Sequence, residues 1–216
     1  DLDQIRSMGP NSERAVKRGP KKNPGLNENL ARELLELHTL GVKAGYTQND
    51  VTELAKGITG WTIGSIKRGE DPGFLFRQVT HEPGERVILD KTYAQKGIGQ
   101  GEAILTDLAR HPKTAAHICA KLAQHFIADI PPEKVVTAMQ VKWAETNGNL
   151  EQVLTTMIEH QQSWSEQKLK LKSPRDLLIS ACRACGVGKT RPDAFRTLMV
   201  LGQTPFGAGS PAGYAD

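Results

Sequence analysis

The chain has 216 residues, which suffices for one domain with a sizeable hydrophobic core. A hydrophobic fraction of 38% and a charged fraction of 24% are typical of a soluble globular protein, and the longest apolar runs are far too short to span a bilayer. The net charge of +4 is only mildly basic, and three cysteines exclude a disulfide-rich framework.

Residues 1–26 are polar, basic and rich in Pro and Gly, and this composition predicts a loop or arm. The positive charge is concentrated in two clusters, the first of which lies in this arm. The clusters consist of Arg14, Lys17, Arg18, Lys21 and Lys22, and of Lys168, Lys170, Lys172 and Arg175. A nucleic-acid interface would interleave such charges with aromatic rings, and neither cluster contains one. The pattern therefore argues against nucleic-acid binding.

The densest pattern of the sequence is a predicted helix from Asn27 to Gly41, around which we expect the fold to be organised. The Asn27 side chain suits an N-cap, and Gly41 suits the left-handed residue that ends a helix. At about 100° per residue, one face of this helix collects the apolar side chains Leu30, Ala31, Leu34, Leu35 and Leu37. His38 falls within the same apolar arc and is predicted to be buried against Leu34.

The opposite face carries the candidate functional side chains, and two interpretations stay open. Glu28 and Glu36 each lie four residues from Arg32, which predicts a solvated ladder of ion pairs. Alternatively, Asn29, Glu33 and Glu36 at i, i+4 and i+7 converge on a cation or a substrate hydroxyl, with the carboxylates as an acid/base pair. The candidate catalytic residues are Asn29, Arg32, Glu33, Glu36 and His38, with Trp61 and His81 as further contributors, and no particular metal or cofactor is indicated.

The next segment predicts a second helix and then the only β structure. Thr47 and Asp50 form a capping box for a helix that ends near 57–60 and packs antiparallel to the first. Short strands are predicted at 74–76 and 86–89. We expect the Pro-Gly pair at 82–84 to join these strands in a small β-hairpin over about residues 73–90.

The remainder of the chain predicts helices only, over about 102–110, 114–127, 131–146, 149–158, 173–185 and 192–201. Residues 203–216 form a Gly/Pro-rich tail without periodicity. We therefore predict a mainly α fold, a single helical domain over residues 27–202 with about seven to eight helices and one small β-hairpin.

Three short motifs lack the context that their apparent functions require. Cys182 and Cys185 form a C-x-x-C on a predicted helix, without the second ligand pair of a zinc site. Two free thiols within a helix and an oxidised Cys182–Cys185 pair are both compatible with this motif. We predict no tightly held zinc there. The glycine-rich segments 186–190 and 97–101 resemble phosphate loops, but no strand precedes either of them, so neither predicts nucleotide binding.

The organising helix also contains the motifs Asn-Glu-Asn at 27–29, Ala-Arg-Glu-Leu at 31–34 and Glu-Leu-His-Thr-Leu-Gly at 36–41. Gly-Tyr-Thr at 45–47 and Thr-Gly-Trp at 59–61 follow, and then Ala-Arg-His-Pro at 109–112 and Gly-Gln at 202–203. On these motifs the chain resembles a large bacterial family catalogued as domain of unknown function 1800 (DUF1800), and the resemblance covers nearly the whole chain.

The resemblance implies an exported protein, periplasmic or extracellular, of which this chain is a truncated or processed fragment, because family members are longer. It also implies a protein partner from a companion family that resembles sulfatases and phosphatases. It implies no reaction, because the family has no established activity.

Two classes of function therefore stay open. In the first, the chain belongs to an enzyme with an acid/base or metal site on the helix at 27–41. In the second, it is a non-catalytic partner or scaffold module of an extracytoplasmic complex, and the same side chains form buried or interfacial ion pairs. A concave pocket beside Glu33 and Glu36 would favour the enzyme, whereas a packed interface would favour the scaffold.

Overall fold

The computed structural model describes residues 2–19, 25–166, 170–188, 193–210 and 213–214. The chain divides into two compact units, the first formed by residues 1–118 and 140–150 and the second by residues 119–139 and 151–216. The fold is mainly α, as predicted. Parts of five predicted features lie outside the described residues: the N-terminal arm (1, 20–24), the basic clusters (Lys21, Lys22, Lys168), the segment at 186–190 (Lys189, Thr190), the start of the last helix (Pro192) and the tail (211–212, 215–216).

The helices of the described residues are α1 Glu13–Arg18, α2 Asn29–Glu33, α3 Gln48–Gly57, α4 Ile98–Arg110, α5 Pro112–Phe126, α6 Glu133–Thr146, α7 Leu150–Glu159, α8 Pro174–Ala184 and α9 Ala194–Val200. A π-helix at Leu34–His38 continues α2 directly. Short 3₁₀ turns lie at Leu2–Arg6, Ile66–Arg68, Gln78–Thr80 and Gln161–Ser163. Among the described residues, no helix combines the length and apolar character needed to cross a membrane.

The four strands are β1 Trp61–Ile63, β2 Phe74–Phe76, β3 Arg86–Ile88 and β4 Lys91–Tyr93. They form two separate antiparallel pairs, β1 with β2 and β3 with β4. Both predicted strands are therefore present, but the prediction that they pair with each other across the Pro-Gly turn is wrong. β2 pairs with β1, and β3 pairs with β4 across the two residues 89–90, so residues 82–84 lie in the connection between the two small sheets.

The first residues are folded where the composition predicted a loop. Gln4, Ser7 and Met8 are buried, and the Ser12 side chain caps α1 by accepting the Ala15 N–H. The polar composition of this segment suggested a solvated loop. Several of its polar side chains instead form hydrogen bonds to the rest of the first unit, and these bonds order the segment.

The core of the first unit is built around α3. Its predicted capping box is confirmed, since Thr47 accepts the Asp50 N–H while Asp50 accepts the Thr47 N–H. The buried apolar residues of this core come from α2, α3, α4 and the second sheet: Ala31, Leu35, Val51, Leu54, Ile58, Ile88, Tyr93 and Ile104.

The second unit contains α7, α8 and α9 together with parts of α5 and α6. Its buried side chains include Cys119, Val135, Met139 and Val153. By contrast, none of the described residues of α8 or α9 is buried.

Candidate functional site

The organising helix differs from the prediction in its second half, which is a π-helix. The Asn27 side chain accepts the Asn29 N–H at 2.9 Å, and Gly41 adopts φ +89°, as expected of a left-handed residue. The caps themselves are Glu28 and Thr39, so Asn27 and Gly41 each lie one residue beyond the predicted position. Leu35 is fully buried, but His38 is exposed, and the prediction that His38 is buried against Leu34 is wrong. A π turn holds more residues than an α turn, so the angle between Leu34 and His38 differs from the one that places them on one face of an α-helix.

The polar face of α2 is joined to α3 by side-chain hydrogen bonds. Glu28 accepts the Gln48 amide at 2.7 Å and the Thr52 hydroxyl at 2.8 Å. Arg32 donates to the Gln48 side-chain oxygen at 2.8 Å, and its guanidinium lies 3.7 Å from Glu28. The carboxylate and the guanidinium are thus bound to the neighbouring helix and fasten the two helices to each other.

The predicted site residues are only partly brought together. Arg32 lies 3.6 Å from Glu36. Burial, and then the nearby Glu36 carboxylate, raises the pKa of Tyr46. Asn29 and His38 are exposed, and no side-chain hydrogen bond or ion pair of Asn29, Glu33 or His38 is found within the described residues.

Two cavities stand out among the described residues, and neither is lined by residues 29–38. Nor do three of the described His, Cys, Asp and Glu side chains come close enough together to hold a metal ion. The catalytic role assigned to the organising helix stays a prediction.

The larger cavity is a cleft of about 650 Å³ in the first unit. It lies between the N-terminal segment and the sheet of β1 and β2. Polar and apolar side chains from both sides line it: Ile5, Arg6, Ser7, Met8, Arg14, Arg18, Trp61, Thr62, Ile63, Ser65, Arg68, Arg77 and Thr80.

The N-terminal wall of this cleft is fixed by hydrogen bonds to the core. Gln4 donates its side-chain amide to the Ile58 carbonyl at 2.9 Å, and the Gly9 N–H donates to the Thr80 carbonyl at 3.0 Å. At Gly9 a Cβ would lie 2.6 Å from the Glu82 Cα, so only glycine permits this approach of the two backbones.

Glu82 is buried and holds the same wall of the cleft in position. Its carboxylate accepts the Asn11 N–H at 2.8 Å and the Asn11 side-chain amide at 2.7 Å. Because Asn11 precedes α1 directly, this contact sets the position of the helix that carries Arg14 and Arg18.

The opposite wall is held by Glu70. The Arg77 guanidinium donates to both carboxylate oxygens at 2.8 and 2.7 Å, and the Ser65 N–H donates to one of them at 2.8 Å. The Arg77 hydrogen bond and then the Ser65 N–H hold the pKa of Glu70 below its usual range. The loop between β1 and β2 is therefore ordered by an ionised carboxylate.

Five arginines line the cleft: Arg6, Arg14, Arg18, Arg68 and Arg77. No Asp or Glu is among the described residues of its lining. Arg77 is paired with Glu70, but no side-chain hydrogen bond or ion pair of Arg6, Arg14 or Arg18 is found within the described part of the chain. The cleft thus concentrates positive charge, and among the described side chains no carboxylate pairs with these three arginines.

The two further contributors proposed from the sequence have different environments. Trp61 lines the cleft and stacks edge-on against Phe74, with ring centroids 5.4 Å apart. His81 is buried, and its Nδ1–H donates to the Thr59 carbonyl at 2.9 Å. Burial lowers the pKa of His81, so the neutral ring is favoured and contributes no charge to the cleft.

Sequence reasoning did not predict the cleft, although it grouped two of its arginines. Arg14 and Arg18 belong to the first basic cluster, and their i, i+4 spacing behind the Ser12 cap places both on one side of a helix. Arg6 lies outside that helix, and Arg68 and Arg77 lie about 50 to 60 residues further along the chain. No local sequence pattern connects these three arginines with Arg14 and Arg18.

The second cavity lies within the second unit and has a volume of about 450 Å³. Cys182 and Cys185 line it, together with apolar side chains of α8 such as Leu178 and Ile179. Both cysteines are free thiols, with Cys182 half-buried and Cys185 exposed.

One protein family matches the chain over residues 2–216, and its description is "Protein of unknown function (DUF1800)". The chain belongs to this family, as its motifs indicated. No curated protein and no solved structure matches it.

Proposed function

We propose that this member of the DUF1800 family is a non-catalytic binding module that recognises an anionic ligand, of the phosphate or sulfate type, in the arginine-lined cleft. The proposal shares its non-catalytic character with the second of the two classes that the sequence left open, the partner or scaffold module, and adds a ligand that the sequence did not predict. The cleft volume of about 650 Å³ falls within the range of small-molecule sites.

The observation that carries the proposal is the set of five arginines in a lining that contains no acidic residue among those described. A guanidinium offers planar, paired N–H donors that match the oxygens of a phosphate or sulfate group. Thr62 and Ser65 add hydroxyl groups to the same lining. An anion held there would pair with Arg6, Arg14 and Arg18, for which the described side chains provide no carboxylate partner.

The polar face of α2 supports the same class. A catalytic carboxylate needs access to a substrate proton. Of the two candidate carboxylates, Glu36 is paired with Arg32 at 3.6 Å, whereas Glu33 makes no side-chain hydrogen bond or ion pair within the described residues. Arg32 donates to Gln48, and Glu28 accepts hydrogen bonds from Gln48 and Thr52. The contacts of Glu28 and Arg32 favour a structural role in joining α2 to α3.

The test is calorimetric titration of the full chain with pyrophosphate. The double variant Arg14→Gln, Arg18→Gln should bind at least about tenfold more weakly, because hydrogen bonds to charged groups contribute roughly 1.5–3 kcal/mol each. Lys17→Gln is the matched control, because it removes one positive charge from the same helix at a position outside the cleft.

Saturable binding that weakens in the arginine variant and persists in the Lys17 variant supports the proposal. Equal weakening in both variants would mean that net charge alone attracts the anion. Absence of saturable binding to the wild-type chain would contradict the proposal directly.

A further inference from the structure

We infer that the face of the first unit around the cleft docks onto an anionic lipid bilayer, with a headgroup phosphate held by the arginines. This inference rests on the proposed function and specifies the source of the anion. It is carried by exposed apolar side chains that border the cleft, a feature that binding of a free anion does not require.

The apolar side chains lie at one end of the sheet of β1 and β2. Ile63 and Phe74 are directly opposite each other in the strand pair, so both project from the same side of the sheet. They are 52% and 60% exposed, and Ile66 in the following 3₁₀ turn is 75% exposed. Ile63 itself lines the cleft, together with the exposed Ile5.

The same side of the sheet becomes progressively more buried towards its other end. Trp61 and Phe76 form the next pair on this side of the sheet, two residues along each strand, and both are half-buried. Trp61 also supports Phe74 through their edge-on contact. The exposed Phe74 ring is thereby held in place at the surface and is available to enter an apolar phase.

Positive charge surrounds these apolar side chains. Lys67 and Arg68 follow Ile66 directly, and Arg6, Arg14 and Arg18 line the cleft beside Ile5 and Ile63. Among the acidic side chains that the structure describes in these segments, Glu13 is paired with Lys17 and Glu70 with Arg77, while Asp71 lies in the loop between the strands. The surface therefore complements a negatively charged bilayer.

The combination of apolar and basic side chains is what favours a bilayer. Interfacial binding adds burial of apolar surface to electrostatic attraction by anionic lipids, at roughly 1 kcal/mol per basic residue near the surface. A soluble phosphate would use only the arginines and would leave Ile66 and Phe74 in water. A bilayer engages both sets of side chains at once.

The experiment is co-sedimentation of the full chain with vesicles of phosphatidylcholine, with and without phosphatidylglycerol. The variants are Ile66→Ser alone and Ile66→Ser combined with Phe74→Ser. Val87→Ser is the matched control, since Val87 is similarly exposed on β3 and does not line the cleft. Pyrophosphate titration of each variant shows whether its cleft is intact.

We expect the wild-type chain to sediment only with vesicles that contain phosphatidylglycerol. The double serine variant should partition at least about tenfold less, because each large apolar side chain loses its transfer out of water. Ile66→Ser alone should give a smaller loss, and Val87→Ser none. All of these variants should bind pyrophosphate like the wild type.

Equal binding to both kinds of vesicle, or no binding to either, would overturn the inference. Unchanged sedimentation of both serine variants would do so as well. If pyrophosphate binds and vesicles do not, the proposed anion site stands and the bilayer does not. If neither binds, both proposals fail.

Discussion

Leu35 and His38 lie three positions apart, and they show how the type of helix determines whether a side chain is buried or exposed. Leu35 is 0% exposed in the core of the first unit, whereas His38, in the same π-helix, is exposed. An expectation based on the α-helical angle alone assigned both residues to the core. The burial of Leu35 was predictable from spacing, but the π-helix that exposes His38 has no sequence signal in this chain.

The difference gives the first prediction. Leu35→Ala should lower the free energy of unfolding by about 2–5 kcal/mol, because it leaves a cavity in a closed core. His38→Ala should change it by less than about 0.5 kcal/mol, as surface substitutions usually do. Equilibrium denaturation of both variants measures the two changes in the free energy of unfolding. A large decrease in the His38→Ala variant would show that His38 is buried.

Gly9 gives the second prediction. Gly9→Ala should destabilise the chain by about 1–3 kcal/mol, because the added Cβ would overlap the Glu82 backbone. Gly73→Ala is the control, since nothing lies within 4 Å of a Cβ at that position. Thermal unfolding should separate the two variants. Similar melting temperatures would mean that the N-terminal wall of the cleft is not packed as described.

Asp50 gives a prediction about pH. Burial acts to raise the pKa of Asp50, but hydrogen bonds from the Leu89 N–H and from Thr47 outweigh it and lower the pKa. A carboxylate with a lowered folded-state pKa contributes stability that is present above its unfolded value of about 3.9 and is lost as the pH falls through the folded value.

Asp50→Asn should therefore destabilise the chain at neutral pH, and the difference from the wild type should shrink as the pH falls below about 4. Urea denaturation across this pH range provides the measurement. A difference that is independent of pH would contradict the assigned role of the ionised carboxylate.

At the scale of elements, helices with caps were predictable and strand pairing was not. The capping box at Thr47 begins α3 where the sequence placed it, and α8 begins near the predicted residue 173, where the Ser173 side chain accepts the Asp176 N–H. The hairpin was misassigned because the Pro-Gly pair is a stronger turn signal than Leu89-Asp90. Yet Leu89 and Asp90 form the turn, with φ values of +50° and +61°.

This turn allows a direct check of the β3–β4 hairpin. Two positive φ values at the centre of a two-residue loop are the requirement of a type I′ turn, which favours glycine at its second position. Asp90→Gly should therefore raise stability slightly, by about 0.5 kcal/mol, whereas Asp90→Ala should lower it by about 1 kcal/mol. A higher melting temperature for Asp90→Ala than for Asp90→Gly would contradict the assignment of this turn.

At the scale of the molecule, the cleft is assembled from parts that are distant in sequence. Arg6, Arg14 and Arg18 belong to the N-terminal segment, while Arg68 and Arg77 flank β2. What joins them is a set of long-range hydrogen bonds, such as those from Gln4 to Ile58 and from Asn11 to Glu82. Sequence patterns report spacing along the chain, so they located the basic cluster without showing that it faces two further arginines.

The central claim is that this cleft, and not the face of α2, holds an anion. The most direct measurement is a titration of the isotope-labelled full chain with pyrophosphate, followed by the shifts of its backbone amide resonances. We predict saturable shifts concentrated in residues 5–18 and 60–80, with residues 29–38 unaffected. Shifts centred on residues 29–38, or no saturable shift in the two cleft segments, would contradict the claim.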